Sequence, residues 1–175
     1  MSSRIVALSG PRASGKSTVA EHLCSMYGFT RIAFADSVRN IARCANPDLQ
    51  NDRMFLAELG QALRNCVPKF TILAMGHSLK ERNGPVVIED IRFPSEMEFC
   101  KSIGATTIRL EIDRESQVRR LIRRGDDIGN LTNLLDCKDE FRLMSENWDF
   151  TISARGDFKH IAAKIHEINR GVESE

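Results

Sequence analysis

The chain has 175 residues, of which 42% are hydrophobic and 28% charged, and its formal net charge is +1. This length suits one domain of roughly 100–200 residues, the near-neutral charge argues against a nucleic-acid binder, and no apolar run approaches the roughly 20 residues that span a bilayer. The five cysteines form no C-x-x-C pair, which disfavours zinc and a disulfide framework. Only four apolar residues separate Arg4 from Ser9, which is too few for the apolar core of a signal peptide. We therefore expect a cytoplasmic protein with no membrane partner.

Short apolar runs alternate along the chain with segments in which apolar residues recur every three or four positions. The first pattern is typical of buried strands and the second of amphipathic helices. We predict strands at 4–8, 30–36, 85–93, 105–112 and 148–153. We predict helices at 15–28, 37–45, 53–66, 69–82, 94–104, 113–125 and 157–169, with a loop or mobile helix at 126–138.

This alternation predicts an α/β fold. Strands joined through helices pair in parallel, and the crossover connections place helices on both faces of the sheet. The predicted strands lack an alternation of polar and apolar residues, which agrees with burial on both sides. We expect one domain, 1–175, with a three-layer arrangement around a parallel sheet.

The stretch GPRASGKS, residues 10–17, follows the first predicted strand and opens the first helix. It satisfies the pattern G-x-x-x-x-G-K-[ST], in which backbone N–H groups and the helix N-terminus surround a phosphate. In this pattern Lys16 places a charge on the β- and γ-phosphates, and the Ser17 hydroxyl can bind Mg²⁺. We predict a nucleotide-binding site here, and we call residues 10–17 the phosphate loop.

Carboxylates and arginines follow the next two strands. Asp36 and Arg39 stand at the end of the second strand, and Asp90 and Arg92 at the end of the third. Ligands in open α/β sheets lie outside the carboxyl ends of the strands, where these residues are predicted to be. An acid at such a strand end can hold Mg²⁺ through water; Asp90 is the candidate, and the adjacent Glu89 could exchange roles with it.

The segments FADSVR (34–39), ELGQALR (58–64), VIEDIRFPSE (87–96) and DFTISARGDFKHI (149–161), in this order after the phosphate loop, resemble the phage-type deoxynucleoside monophosphate kinases. This family belongs to the nucleoside monophosphate kinases with a phosphate loop. The resemblance implies a three-layer nucleotide kinase fold and transfer of a phosphoryl group from ATP, with Mg²⁺, to a (deoxy)nucleoside monophosphate. It covers most of the chain, and residues 67–84 and 125–147 match poorly.

The resemblance also implies a role for individual residues. ATP-binding residues would be Gly10, Arg12, Ala13, Ser14, Gly15, Lys16, Ser17, Thr18 and Arg155. Catalytic residues would be Lys16, Asp90, Arg92, Arg119 and Arg120, and metal-binding residues would be Ser17 and Asp90. Acceptor-binding residues would be Asp36, Arg39, Arg64 and Arg92. Residues 46–84 would form a helical acceptor-binding region, and residues 113–138 an arginine-rich lid.

Three alternatives stay open at this point. The arginines at 119, 120, 123 and 124 form i,i+4 pairs on a helix, and such a charge run is usually a solvated face. The acceptor could be dephospho-coenzyme A or another small metabolite. The third alternative is a nucleotide-dependent switch that acts through partner proteins, which agrees less well with the arginines built into the chain.

One segment departs from the family pattern. The family often carries an H-x-S-E segment before the last strand, where this chain has CKDEFRLMSEN (137–147), without the histidine.

Overall fold

The structure is a computed structural model, and it describes residues 5–125, 143 and 146–171. The chain forms two compact units: the first comprises Met1–Arg31 and Gly84–Glu175, and the second Ile32–Asn83. The predicted loop at 126–138, and with it half of the predicted lid at 113–138, lies outside the described residues, as does most of the segment at 137–147. Among the helices that the structure describes, none is long and apolar enough to cross a membrane.

The described chain contains five strands and seven α-helices, and three of these α-helices follow one another between β2 and β3. The strands are β1 (Ile5–Ser9), β2 (Thr30–Ala33), β3 (Val86–Glu89), β4 (Thr106–Glu111) and β5 (Phe150–Ser153). The helices are α1 (Lys16–Tyr27), α2 (Asp36–Ala45), α3 (Arg53–Cys66), α4 (Phe70–Lys80), α5 (Pro94–Ser102), α6 (Arg114–Arg123) and α7 (Phe158–Arg170). A short 3₁₀ helix, Pro47–Asn51, follows α2, where Asn46-Pro47 ends the helical pattern.

The strands form one sheet in the order β2-β3-β1-β4-β5. Strand β1 pairs in parallel with both β3 and β4, with Val6 opposite Val87 and Thr106, and β4 pairs in parallel with β5. The phosphate loop therefore leaves the central strand, and the segments after β3 and β4 emerge at the same edge of the sheet.

Apolar side chains cover both faces of the central strands. On one face Leu8 and Ile108 pack in a cluster with Leu23 of α1 and Ile165 of α7. Successive side chains of a strand point to opposite faces, so the buried Ile88 and its neighbours face the other side. There α5 packs on β4 through its buried residues, which include Met97. The predicted fold class, a parallel sheet with helices on both faces, is confirmed.

Four strands are shorter than predicted, β2 and β3 by the most. Strand β2 ends at Ala33 rather than at Asp36, because the Asp36 carboxylate accepts a hydrogen bond from the Ala33 N–H (2.8 Å) and turns the chain into α2. Strand β3 ends at Glu89 rather than at residue 93. Asp90 adopts a left-handed conformation (φ 66°), and the N–H groups of Asp90 and Ile91 both donate to the Leu8 carbonyl.

In the second unit, helices α2, α3 and α4 pack on one another. Gly60 is buried on α3, and a β-carbon added there would lie 3.8 Å from a methyl group of Val38 on α2. The unit exposes large apolar side chains, among which Met54 is 75% exposed. The predicted acceptor-binding region, 46–84, corresponds to the 3₁₀ helix, α3 and α4.

Glu96 holds the turn between β3 and α5, which carries Asp90 and Arg92. Its side chain is buried, and one carboxylate oxygen accepts hydrogen bonds from the backbone N–H groups of Arg92 (3.0 Å) and Phe93 (3.3 Å). These are N–H groups at the start of a helix, which otherwise lack partners. The glutamate of the RFPSE segment therefore fixes the backbone of the site.

We expect Glu96→Ala to lower the free energy of unfolding by roughly 1–3 kcal/mol, because it leaves two part-buried backbone donors without an acceptor. Urea unfolding of the full chain measures this difference. Glu98→Ala, an exposed position on the same helix, is the control, and we expect it to stay within about 0.5 kcal/mol of the parent protein. Equal effects of the two substitutions would contradict the role of Glu96.

Candidate active site

The phosphate loop connects β1 to α1 and has the backbone of an anion-binding turn. Gly10 (φ 145°) and Gly15 (φ 94°) adopt conformations open to glycine, and Ala13 lies in the left-handed region (φ 60°). Gly15 is the N-cap of α1, so the first turn of that helix presents its N–H groups at the end of the loop. That this loop binds a phosphate stays a prediction from the sequence.

Both glycines are also required by packing. A β-carbon on Gly10 would lie 2.3 Å from the Leu110 carbonyl oxygen, and one on Gly15 would lie 2.2 Å from the ring of Phe158. The loop thus presses against β4 on one side and against the start of α7 on the other. Even a methyl side chain would force these elements apart.

Lys16 folds back over the loop. Its ammonium group donates to the carbonyls of Gly10 (2.7 Å) and Pro11 (3.1 Å) and lies 3.5 Å from an oxygen of Asp90. Its side chain is 11% exposed. The charge is therefore held over the turn, where the motif expects a phosphate.

Asp90 links Lys16 to Arg92. Its second oxygen accepts hydrogen bonds from Nε (2.8 Å) and Nη2 (2.5 Å) of Arg92. Burial alone would raise the pKa of the Asp90 carboxyl, but the charges of Lys16 and Arg92 outweigh it and hold that pKa below its usual value. Asp90 is therefore an ionised bridge between two cations.

The acid that contacts Ser17 is Glu89. Its Oε1 accepts a short hydrogen bond from the Ser17 hydroxyl, and its Oε2 lies 2.5 Å from Nε of Arg31 on β2. Glu89 is only 5% exposed. The structure thus brings together Ser17 and Glu89, whereas the predicted metal-binding pair was Ser17 and Asp90. The exchange follows from the left-handed turn at Asp90, which directs that side chain toward Lys16 and Arg92.

The remaining loop residues line the same turn. Ser14 is fully buried, and its hydroxyl has no hydrogen-bond partner within the described part of the protein. The carbonyl of Arg12 accepts a hydrogen bond from Gln117 (2.9 Å). Thr18 is half-buried in the first turn of α1. ATP binding by Gly10, by residues 12–18 and by Arg155 stays a prediction.

The two predicted catalytic arginines of α6 have different surroundings. Arg120 donates to the carbonyls of Ala13 (3.1 Å) and Ser14 (3.3 Å) in the phosphate loop. Arg119 is largely exposed and contacts Glu115 and Ser116 of its own helix. Arg123 and Arg124 are also exposed. A lid function for any of them stays a prediction.

Arg155 borders a cavity of about 360 Å³ that reaches the phosphate loop at Pro11. Its Nε lies 2.9 Å from Asp113, which is the N-cap of α6. The Ser116 backbone N–H, together with Arg155, holds the pKa of the Asp113 carboxyl well below its usual range. Arg155, which the resemblance assigns to ATP binding, thus lies beside an open cavity that adjoins the loop.

The predicted acceptor residues Asp36, Arg39 and Arg64 lie in the second unit. Asp36 begins α2 and forms an i,i+3 ion pair with Arg39 at 3.1 Å. Arg64 is half-buried near the end of α3, with its guanidinium close to Gly60. Arg92, the fourth predicted acceptor residue, belongs to the first unit and is bound to Asp90.

Two residues with evident roles in this site were missed from the sequence. The sequence pattern assigns Arg31 only to a strand, although an arginine in a short apolar strand is a detectable signal of a buried acidic partner. Gln117 was read as part of a charged helix, and no sequence signal distinguishes it. Both contact the site through residues distant along the chain, Glu89 and Arg12.

No family model matches this chain, and no curated protein shows significant sequence similarity to it. Solved structures do share its fold. A shikimate kinase from Acinetobacter baumannii in complex with shikimate is 19% identical with a TM-score of 0.61, covering 99% of this chain and 96% of that one. A Thermus thermophilus protein is 17% identical with a TM-score of 0.65, covering 99% and 100%.

A gluconokinase from Sinorhizobium meliloti is 16% identical with a TM-score of 0.53, covering 98% of this chain and 95% of that one. At these identities the likeness establishes the fold alone, which this chain shares with the shikimate kinase and the gluconokinase. The narrower resemblance to deoxynucleoside monophosphate kinases stays a prediction.

We expect the ion pairs of Asp90 to contribute stability that depends on pH. Because its folded-state pKa lies below the ordinary value of 3.8, this contribution is complete above that pH and is lost as the pH falls through the lowered pKa. Asp90→Asn keeps the shape of the side chain, and asparagine tolerates the left-handed backbone. The variant should be less stable than the parent near neutral pH, and the difference should shrink in acid.

Thermal unfolding between about pH 3 and about pH 7 measures this difference. Asp48→Asn, at an exposed position in the 3₁₀ helix, is the control and should follow the parent at every pH. A stability difference for Asp90→Asn that is constant over this range would contradict the ion-pair account.

Proposed function

We propose that the protein transfers the γ-phosphoryl group of ATP to a (deoxy)nucleoside monophosphate and forms the diphosphate. The observation that supports this most directly is the arrangement at the ends of β1 and β3. There Lys16 and Ser17 of the phosphate loop meet two acids and an arginine. Phosphoryl transfer depends mainly on positioning and on neutralising charge, and these side chains supply both.

The residues present fit a magnesium ion. The Ser17 hydroxyl and the Glu89 carboxylate can both serve as oxygen ligands of a metal, and they are in contact with each other. Mg²⁺ prefers oxygen and usually binds through one or two protein groups together with substrate phosphates and water. Within the described residues, no group of three or more His, Cys, Asp or Glu could hold a metal by itself. When bound, Mg²⁺ would neutralise charge on the β- and γ-phosphates.

Each side chain then has a distinct task. Lys16 would exchange its hydrogen bonds to loop carbonyls for the phosphate oxygens of ATP. Asp90 would hold Arg92 through the two hydrogen bonds that one of its carboxylate oxygens accepts, and Arg92 would face the acceptor. Arg155 would contact the nucleoside part of ATP from the cavity that reaches Pro11.

In this proposal the second unit binds the acceptor. Arg39 and Arg64 offer guanidinium groups, which recognise phosphates through paired hydrogen bonds. The carboxylate of Asp36 already holds one of them, Arg39, at 3.1 Å. The proposal of a nucleoside monophosphate acceptor rests on the resemblance of FADSVR and ELGQALR to that kinase family.

A second candidate is a kinase that phosphorylates a hydroxyl group of a small metabolite. It is favoured by the names of two structures with this fold, a shikimate kinase and a gluconokinase. Both candidates require the same phosphate loop and differ in the acceptor. The cytoplasmic location and the absence of membrane and nucleic-acid partners remain expectations under either candidate.

The test is an acceptor panel. The full chain is incubated with MgATP and, separately, with the deoxynucleoside and ribonucleoside monophosphates, dephospho-coenzyme A, shikimate and gluconate, and ADP formation is recorded. We expect turnover with one or a few nucleoside monophosphates. We expect Lys16→Met to lower the rate at least about a hundredfold, because it removes the charge that stabilises the transferring phosphoryl group.

Three outcomes separate the candidates. Turnover with a hydroxylated metabolite alone would replace the proposed acceptor by the second candidate. ADP formation that is equal with and without every acceptor would indicate a nucleotide hydrolase or switch. Full activity of Lys16→Met would exclude the phosphate loop as the catalytic centre.

We further expect Arg64→Ala to raise the KM for the acceptor at least about tenfold and to leave the KM for ATP nearly unchanged. The reason is that a charge-assisted hydrogen bond is roughly twice as strong as a neutral one. Arg43→Ala is the matched control, since Arg43 is an exposed arginine of the same unit that contacts only its own helix neighbour Asn40 among its described hydrogen bonds. Equal changes in both KM values would remove Arg64 from the acceptor site.

A further inference from the structure

Helix α6 contacts the outer side of the phosphate loop through two polar side chains. Gln117 Nε2 donates to the Arg12 carbonyl (2.9 Å), and Arg120 Nη1 donates to the carbonyls of Ala13 (3.1 Å) and Ser14 (3.3 Å). Three consecutive carbonyls of the loop are thus bound by residues one helical turn apart. We call Gln117 and Arg120 the brace.

The peptide geometry gives this contact a consequence for anion binding. In a trans peptide the carbonyl and the following N–H point in opposite directions. When α6 binds the carbonyls of Arg12 and Ser14, it therefore directs the N–H groups of Ala13 and Gly15 away from the helix. Backbone N–H groups that converge in this way form the anion-binding concavity of a phosphate loop.

The brace also holds a loop that carries local strain. Ala13 adopts a left-handed backbone (φ 60°), which is unfavourable for a residue with a β-carbon. Such conformations persist when the surrounding structure determines them, and they concentrate at functional sites. Arg120 donates a hydrogen bond to the carbonyl of this strained residue, Ala13.

The brace itself is firmly anchored. Gln117 is 5% exposed, and its neighbour on α6, Leu121, is fully buried. The second terminal nitrogen of Arg120 donates to the Ala154 carbonyl (2.7 Å), and its guanidinium lies over the Phe158 ring, 4.8 Å from the centroid. Because Phe158 packs on Gly15, Arg120 joins the loop to the segment between β5 and α7.

We infer that Gln117 and Arg120 are positioning residues, which keep the phosphate loop in its anion-binding shape before any nucleotide arrives. This role differs from that of a lid arginine, which contacts the phosphoryl group only after closure. The inference rests on the proposed function for its link to catalysis, whereas the shape of the free loop can be tested without it.

The first experiment measures amide hydrogen exchange of the full chain without nucleotide. Arg120→Lys keeps the charge but replaces two separate terminal nitrogens, which reach the loop and Ala154, by a single nitrogen. Gln117→Met keeps the size but removes the donor. We expect the amides of residues 12–18 to exchange at least about threefold faster in both variants, because local opening becomes easier. Arg119→Lys, one residue away and bonded to its own helix, should leave this exchange unchanged.

The second experiment measures ADP affinity by calorimetry, together with kcat and KM for ATP. In Arg120→Lys we expect ADP to bind about tenfold more weakly although the positive charge is kept. We expect kcat at saturating ATP to change far less than KM. Thermal unfolding confirms that each variant is folded, and Gln117→Met serves if the arginine variant is not.

Unchanged exchange at residues 12–18 in both folded variants would overturn the inference. So would a large fall in kcat with unchanged ADP affinity, which is the signature of direct contact with the transferring group. If the acceptor panel reveals no kinase activity, the exchange and ADP measurements still decide whether the brace shapes the loop. The failure of the proposed function and the failure of this inference are therefore distinguishable.

Discussion

The phosphate loop can lie against strand β4 and helix α7 only because two of its residues have no side chain. A β-carbon at Gly10 would meet the Leu110 carbonyl, and one at Gly15 would meet the Phe158 ring. This close approach brings the start of α1, the end of β4 and the start of α7 to one point at the edge of the sheet. The other contacts of the site depend on it, since α6 reaches the loop carbonyls from the segment that follows β4.

Two adjacent acids perform different tasks in this arrangement. Glu89 ends a buried strand and faces the Ser17 hydroxyl, with Arg31 on its other oxygen. Asp90 has left the strand through a left-handed turn and bridges Lys16 and Arg92. Successive side chains of a strand point to opposite faces, and the left-handed turn at Asp90 breaks that alternation. Glu89 and Asp90 are adjacent in the chain and therefore contact different groups.

Polar side chains on different faces of helix α6 make different contacts. Arg120 and Gln117, three residues apart, point to the phosphate loop, and Arg119 between them points to Glu115 along the surface. A run of arginines on a helix is compatible with either role, because the sequence specifies the spacing of side chains but not which face meets another element. In this protein the packing of the buried Leu121 sets which residues of α6 face the phosphate loop.

The sequence by itself determined the elements, their order and the phosphate loop, because these depend on local patterns: apolar periodicity, the glycines at 10, 15 and 28, and proline at 47. It also indicated that the acids after β3 belong to the site, since parallel strands end at one edge of a sheet. It could not assign Glu89 and Asp90 to their partners or separate Arg120 from Arg119. Those assignments depend on contacts between residues such as Ser17 and Glu89, or Arg120 and Ala13, which are far apart along the chain. Only the tertiary structure decided them, because hydrogen bonding requires atoms to meet within about 3 Å, and no local pattern encodes that distance.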